Sequence, residues 1–414
     1  MTMEPDLQFE AIQEPGSFLK NIDEFLSRCP VAHGYDREGR FTVVHRYEDV
    51  LRVVQDWRTF QTGPAVRVPA LPENIAPFEL PPMTSNPPIQ RHFRELLNPY
   101  LTPAAVAPHE EGIREIAGTL LDGFIESGSD DIVGLVTQPF SPVLTFRFLL
   151  NVGEEEIEDA REFVREALYE AHVKDTSQAE MRWHDWNLAL LERRRHEPRR
   201  NDMVDALLHG TVDGGRLLTE SEQIGAINIL MRGGFTTTTD ASSNLLARLA
   251  EDPELASTLA HDPALIPLAI DESLRLDAPV SALARQCMAD TSFGDIDLPA
   301  GERVLFNIAA ANRDPEQFPN PSDFVLDRRP NRHLSFGGGV HRCIGLNFAR
   351  LSLRVLFEEV FKRMHDLRLT AGQEVRRYSS EGQFFIPSFV PLAYERGPAT
   401  SAVASVDVND GGQS

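Results

Sequence analysis

Apolar residues recur at three- and four-residue spacing over much of the chain, which predicts amphipathic helices. In "SFLKNIDEFLSRC" the side chains of Phe18, Ile22, Phe25 and Leu26 share one face, and "EDVLRVVQDW" is built on Val50, Leu51, Val54 and Trp57. Between them "RFTVVHRY" reads as a strand. From about Pro103 to Met364 the pattern is mostly helical, with one interruption. Residues 276–335 hold short β-like pieces, "VSALARQC", "GDIDL" and "RVLFNIA", and then a meandering loop rich in Pro, Asn and Arg. A second small β region is expected at about 375–393. Residues 62–88 are crowded with proline and have no period, and a long loop of that kind in a compact protein is usually functional. With no internal repeat and no interdomain linker, the pattern predicts one mainly α unit with small β-sheets over residues 1–396. The small, polar segment 397–414 is expected to be a disordered tail.

Composition changes this picture little. The 414 residues suffice for a large core, and a net charge of −23 leaves no global field that would draw in nucleic acid. No stretch approaches the roughly 20 apolar residues of a membrane span. The start "MTMEPDLQFEAIQEPG" lacks the basic and apolar regions of a signal peptide. Three cysteines, Cys29, Cys287 and Cys343, make no disulfide framework. A cytoplasmic monomer is expected.

Two stretches carry chemistry. The first is "GGFTTTTD", residues 233–240, inside a long helical pattern. β-branched threonines are stiff in a helix, and their hydroxyls compete for backbone carbonyls. The glycines cost roughly 1 kcal/mol each against alanine. The second is "HLSFGGGVHRCIGLNFARLSLRVLFEEVF", where Cys343 follows a glycine-rich turn and precedes an apolar helix. Backbone N–H groups at a helix N-terminus favour a thiolate, and glycines let a backbone approach a flat ligand closely. Cys29 and Cys287 have no such setting and read as structural.

The string Phe336-x-x-Gly339-x-x-x-Cys343-x-Gly345 resembles the haem-binding loop of the cytochromes P-450, and every fixed position matches. The resemblance runs from "CPVAHG" at residue 29 to about residue 390. It implies the fold of that family, a triangular-prism helical domain with a β-rich side. It also implies haem b (iron protoporphyrin IX) as cofactor, with Cys343 as the axial thiolate ligand of iron and Phe336, Gly337, Gly339 and Gly345 forming its loop. Glu272-x-x-Arg275 looks like the family's buried pair, with Arg328 as its third, structural member. Gln90 stands where many members have histidine. Arg94, Arg285 and His333 fall on haem-propionate contacts, since charge-assisted hydrogen bonds suit carboxylates. Arg91, Arg94 and Arg342 are either a docking patch for an acidic ferredoxin or, for Arg91 and Arg342, solvated charges.

On the same resemblance "GGFTTTTD" lies in the helix crossing the haem's oxygen side. Gly233 and Gly234 take the small positions that make room for dioxygen, and Thr237 takes the place of the hydroxyl that assists it. Thr236 stands where most relatives carry Asp or Glu. Asp240, four residues on and near the same face, either replaces that acid or is a structural carboxylate. Phe78, Leu283 and Phe384 are expected as apolar walls of the substrate pocket, with core packing as the alternative. Arg232 points either to a carboxylate substrate or to pairing with a structural acid. The resemblance therefore implies a monooxygenase placing one oxygen atom from O2 into a small to medium lipophilic substrate. Electrons would come from NAD(P)H through a ferredoxin reductase and ferredoxin. The missing acid leaves room for peroxide-driven oxidation, nitric oxide reduction or rearrangement, and a non-catalytic haem sensor is the remaining alternative.

Overall fold

The computed structural model describes residues 6–7, 22, 25–27, 30–68, 70, 79–169, 175–380 and 384–397. Its largest sheet gathers strands far apart in sequence, in the order β1–β2–β3–β6–β5–β4. These are β1 (Asp6–Leu7), β2 (Val31–Asp36), β3 (Gly39–Val44), β4 (Phe60–Gln61), β5 (Ala282–Cys287) and β6 (Arg303–Asn307). Gly39, at φ 102°, closes the tight β2–β3 hairpin in a conformation that glycine tolerates best. β6 joins the two halves: it runs parallel to β3 and antiparallel to β5, with Val304 opposite Arg285. The β pieces expected within 276–335 thus form, and they bring Arg285 beside the N-terminal sheet. Further on lie β7 (Met364–Leu369), β8 (Arg376–Ser380), β9 (Phe384–Phe389) and β10 (Leu392–Arg396), paired as β7–β10 and β8–β9.

Helix α1 (Tyr47–Gln55) buries Tyr47, Val50, Val53 and Val54 against this sheet. It stops at Gln55, before Trp57, because the chain turns at Asp56, whose carboxylate accepts the Thr59 N–H at 3.2 Å. Of the helix expected around Phe18, only Ile22 and residues 25–27 fall among the described residues, and these are helical.

The remaining helices share a second, larger core. They include α2 (Ile89–Leu97), α3 (Glu110–Ser127), α4 (Gln138–Leu144), α5 (Glu154–Tyr169) and α6 (Ser177–His196). After them come α7 (Glu220–Glu251), α8 (Ile266–Leu276) and α9 (Leu346–Arg363). Two π-helical turns, Val133–Thr137 and Thr145–Leu149, flank α4 and were not legible in the apolar period. The 32-residue α7 crosses the molecule, roughly 48 Å at 1.5 Å per residue, and packs against α4, α6, α8 and α9. Its start is set by a capping box: the Glu222 N–H donates to Thr219 Oγ1 at 3.2 Å, and the Thr219 N–H donates to Glu222 at 2.7 Å. Among the described residues no helix is long and apolar enough to cross a membrane.

Candidate active site

Cys343 sits on the loop that α9 closes. Its N–H donates to the Phe336 carbonyl at 2.8 Å, and the Gly337 N–H donates to that of Leu334 at 2.7 Å, so the loop folds back on itself. Gly337 and Gly339 adopt φ of 64° and 59°. At Gly338 and Gly339 a Cβ would strike Val54, so these glycines let the loop pack on the end of α1. Gln90 fastens the loop from the α2 side, its amide donating to the Val340 carbonyl at 2.5 Å.

Cys343 has exposed surface, yet atoms crowd it densely and burial pushes its thiol up. The N–H groups of Gly345 and Leu346, at the start of α9, oppose that push together with Arg94 and Arg342. The helix N-terminus acts in the expected direction, but the net shift is upward. A bound metal cation would complete the thiolate that these dipoles only favour.

Two guanidinium groups and a neutral imidazole converge nearby. Burial pushes the Arg285 guanidinium down to about 10; it donates to the carbonyl of Ala284 at 2.9 Å and lies 5.2 Å over the Phe306 ring. Arg94 is likewise pushed down by burial and held up by Cys343. His341 is pushed down to about 3 by burial, then by Arg285 and Arg94, which places all three within electrostatic reach. Its buried Nε2 has no hydrogen-bond partner among the described residues. Among the described residues neither Arg94 nor Arg285 has a carboxylate partner. Buried cations without anions are costly, and a ligand bearing carboxylates would relieve this set. The donor set thus fits a haem: a thiol on a cradle loop, with two guanidinium groups and an imidazole near it that could hold carboxylates.

His333 does not join this group. Its Nε2 lies 3.6 Å from Asp271, which also pairs with Arg350 at 2.9 Å. It is His341 that lies beside Arg94 and Arg285. Its position two residues before Cys343 was the available signal.

Glu272, Arg275 and Arg328 come together as expected. Arg275 donates to both Glu272 oxygens at 2.9 and 2.8 Å, and Arg328 Nε reaches one of them at 3.0 Å. Asn331 and the Val325 N–H add bonds at 3.1 and 2.9 Å, so this fully buried carboxylate is saturated.

On α7 the threonines answer to the helix. The hydroxyl of Thr237 donates to the Gly233 carbonyl at 2.6 Å, that of Thr236 to Arg232 at 3.2 Å, and that of Thr239 to Phe235 at 2.8 Å. The helix runs unbroken through them. Gly233 is exposed, and a Cβ there would meet nothing. Gly234 differs: a Cβ would collide with Thr145, and its carbonyl accepts the Ser141 hydroxyl. Only Gly233 therefore faces open space, and Gly234 is small so that α4 and its π-helical turn can approach. Asp240 is fully buried, neither carboxylate oxygen has a hydrogen-bond partner among the described residues, and burial pushes its pKa well up.

Arg232 is committed elsewhere. Its guanidinium pairs with Glu180 on α6 and lies 4.5 Å over the ring of Trp183, the pairing with a structural acid that was one of its two expected roles. Leu283 on β5 is partly buried and packs against the α1 core. Phe78 lies outside the described residues, and Phe384 starts β9 opposite Ser380. Arg91 pairs along its own helix with Glu95 at 2.9 Å, leaving Arg342 exposed beside the cysteine. Cys287 donates to the Ala289 carbonyl at 3.0 Å and is structural, as expected.

Known proteins share this arrangement. The family model described as Cytochrome P450 matches residues 264–384. The chain is 30% identical over 374 residues to Cytochrome P450 107B1 of Saccharopolyspora erythraea, covering 87% of this chain and 90% of that protein. It is 31% identical over 349 residues to the steroid C26-monooxygenase of Mycobacterium tuberculosis, covering 82% and 91%. The crystal structure of CYP108D1 from Novosphingobium aromaticivorans superposes with a TM-score of 0.83 at 25% identity, over 96% of this chain and 100% of that one. With a cysteine loop, a cation set and a helical frame that all fit haem, the chain belongs to the cytochrome P450 family and is a haem-dependent monooxygenase of the bacterial type.

Proposed function

We propose that Cys343 is the axial thiolate of the haem, that Arg94, Arg285 and His341 hold its propionates, and that the substrate is a neutral lipophilic molecule. The observation that carries this is the pair Arg94 and Arg285 beside the cysteine loop, neither with a carboxylate partner among the described residues, together with the unpartnered Nε2 of His341 next to them. Bound haem supplies the iron at which dioxygen is activated. The protein holds and orients it. Gln90 and the N–H groups of Gly345 and Leu346 fix the cysteine loop. Gly233 leaves space on the oxygen side, and the Thr237 hydroxyl, donating to Gly233, keeps a lone pair free to accept a hydrogen bond there.

Neutrality of the substrate follows from Arg232. With its fork engaged by Glu180 and its face on Trp183, it offers no carboxylate clamp. The steroid on which the mycobacterial relative acts by its name is in keeping with a neutral, apolar ligand. Electrons come from a ferredoxin and its NAD(P)H-dependent reductase in the cytoplasm. Arg342, exposed one residue from Cys343, is the docking charge, and residues 1–396 act as one monomeric haem domain.

The test is a Soret titration of the ferric holoenzyme with carboxylic acids and their methyl esters. Esters should move the iron towards high spin as well as the acids or better, and Arg232→Ala should leave that preference unchanged. A response confined to acids and lost in Arg232→Ala would overturn the neutral-substrate reading. Separately, the reduced carbon monoxide complex should show the thiolate band in the wild type and lose it in Cys343→Ser.

A further inference from the structure

The acid absent at Thr236 has a counterpart one turn away. Asp240 follows Gly233 by seven residues, Thr236 by four and Thr237 by three, so the four positions form one stripe along α7. The stripe starts at Gly233, where a side chain would meet open space, and ends at a fully buried carboxyl group with both oxygens unpartnered. Buried polar groups are nearly always hydrogen-bonded, and where protein partners are missing an internal water commonly serves.

We propose that Asp240 is a proton-holding, positioning residue that keeps an internal water between its carboxyl group and the Thr237 hydroxyl, filling the place that Thr236 leaves without an acid. The proposal rests on the haem-thiolate reading above. Asp240 passes a proton through that water towards the oxygen side and regains one from solvent through the same water, so it is unchanged over a cycle.

The charged groups around this part of α7 are otherwise engaged. Arg248 pairs with Asp277, Glu251 with Arg377 of β8, Glu272 with Arg275 on α8, and Glu359 with Arg363 on α9. α4 and the turn Val133–Thr137 carry no titratable side chain. Burial alone acts on Asp240, and it favours the protonated form.

Two measurements on the holoenzyme decide the matter. The first compares denaturant unfolding of the wild type and Asp240→Asn across pH. Above about pH 4 the unfolded carboxyl ionises while the native one keeps its proton. The folding constant of Asp240→Asn relative to wild type should then rise about tenfold per pH unit, up to the native pKa. Parallel curves from pH 5 to 7 would mean an ionised Asp240 and would overturn the proposal.

The second measures hydrogen peroxide released per NADPH oxidised, with a surrogate ferredoxin and reductase and no added substrate. Four electrons and four protons take O2 to two waters, whereas two of each stop at hydrogen peroxide, so poor proton supply raises the peroxide share. Asp240→Asn should raise it at least twofold, and Thr236→Asp added to that variant should bring it back. An unchanged share, or no return, leaves Asp240 merely structural and sinks the idea. A wild type lacking the carbon monoxide thiolate band would instead defeat the haem-thiolate reading itself.

Discussion

Arg285 shows how a single residue can be a liability to the fold and an asset to the site. It is buried with one hydrogen bond, to the Ala284 carbonyl, and its face 5.2 Å from the Phe306 ring, an arrangement that costs stability until a carboxylate arrives. Arg285→Leu should therefore stabilise the apoprotein against urea while weakening haem retention. A charge-assisted hydrogen bond is worth about 1.5–3 kcal/mol, so haem transfer to apomyoglobin should run roughly ten to a hundred times faster. Opposite signs are the expected outcome; a loss of stability in both forms would place Arg285 in the scaffold instead. Arg232 is the contrast, since its charge is already answered. It is one-quarter exposed and Glu180 more so, and screening limits such a pair. With the stacking on Trp183, Arg232→Ala should cost only about 1 kcal/mol in thermal unfolding. Cys343 was legible because its neighbours in sequence are its neighbours in space. Arg232 was not, because Glu180 and Trp183 lie some fifty residues away and only the packing of α6 on α7 brings them to it.

At the scale of elements, α7 reconciles an unfavourable composition with an unbroken helix. Its threonine hydroxyls return hydrogen bonds to carbonyls four residues back, and Ser141 from α4 takes the carbonyl of Gly234. The local propensity cost is thereby offset by tertiary packing, which usually decides helical stability. Because Gly234 sits against Thr145, Gly234→Val should overpack that contact and cost about 1–3 kcal/mol, measurable by denaturant unfolding. Gly233→Ala, facing open space, should cost far less. At the N-terminus, Thr219→Ala removes the capping box and should cost about 1 kcal/mol. The apolar period of such a helix predicts its existence well. It says nothing of which glycine is needed for space and which for contact, since both look the same in a string.

For the molecule as a whole, the saturated carboxylate of Glu272 ties α8 to the meander before the cysteine loop. Burial pushes its pKa up, but Arg275, the Val325 N–H and Arg328 together bring it below the ordinary range. A carboxylate depressed in the fold contributes stability above the unfolded pKa and loses it as pH falls through the native one. Glu272→Gln, which strips the charge from a buried pair, should cost about 3–5 kcal/mol at pH 7. Its deficit against wild type should shrink as both are acidified below about pH 4; a deficit independent of pH would exclude the charge as its source. The sequence by itself determined the helical class, the β interruption, the cysteine loop and the Glu272–Arg275 pair. Each rests on residues within a few positions of one another, where spacing dictates geometry. Only the tertiary structure decided that His341, not His333, lies beside Arg94 and Arg285, that Arg232 pairs with Glu180, and that Asp240 is fully buried with neither oxygen bonded among the described residues. Those outcomes depend on which distant side chain reaches a group first and how much water is left around it. Neither is written in local spacing.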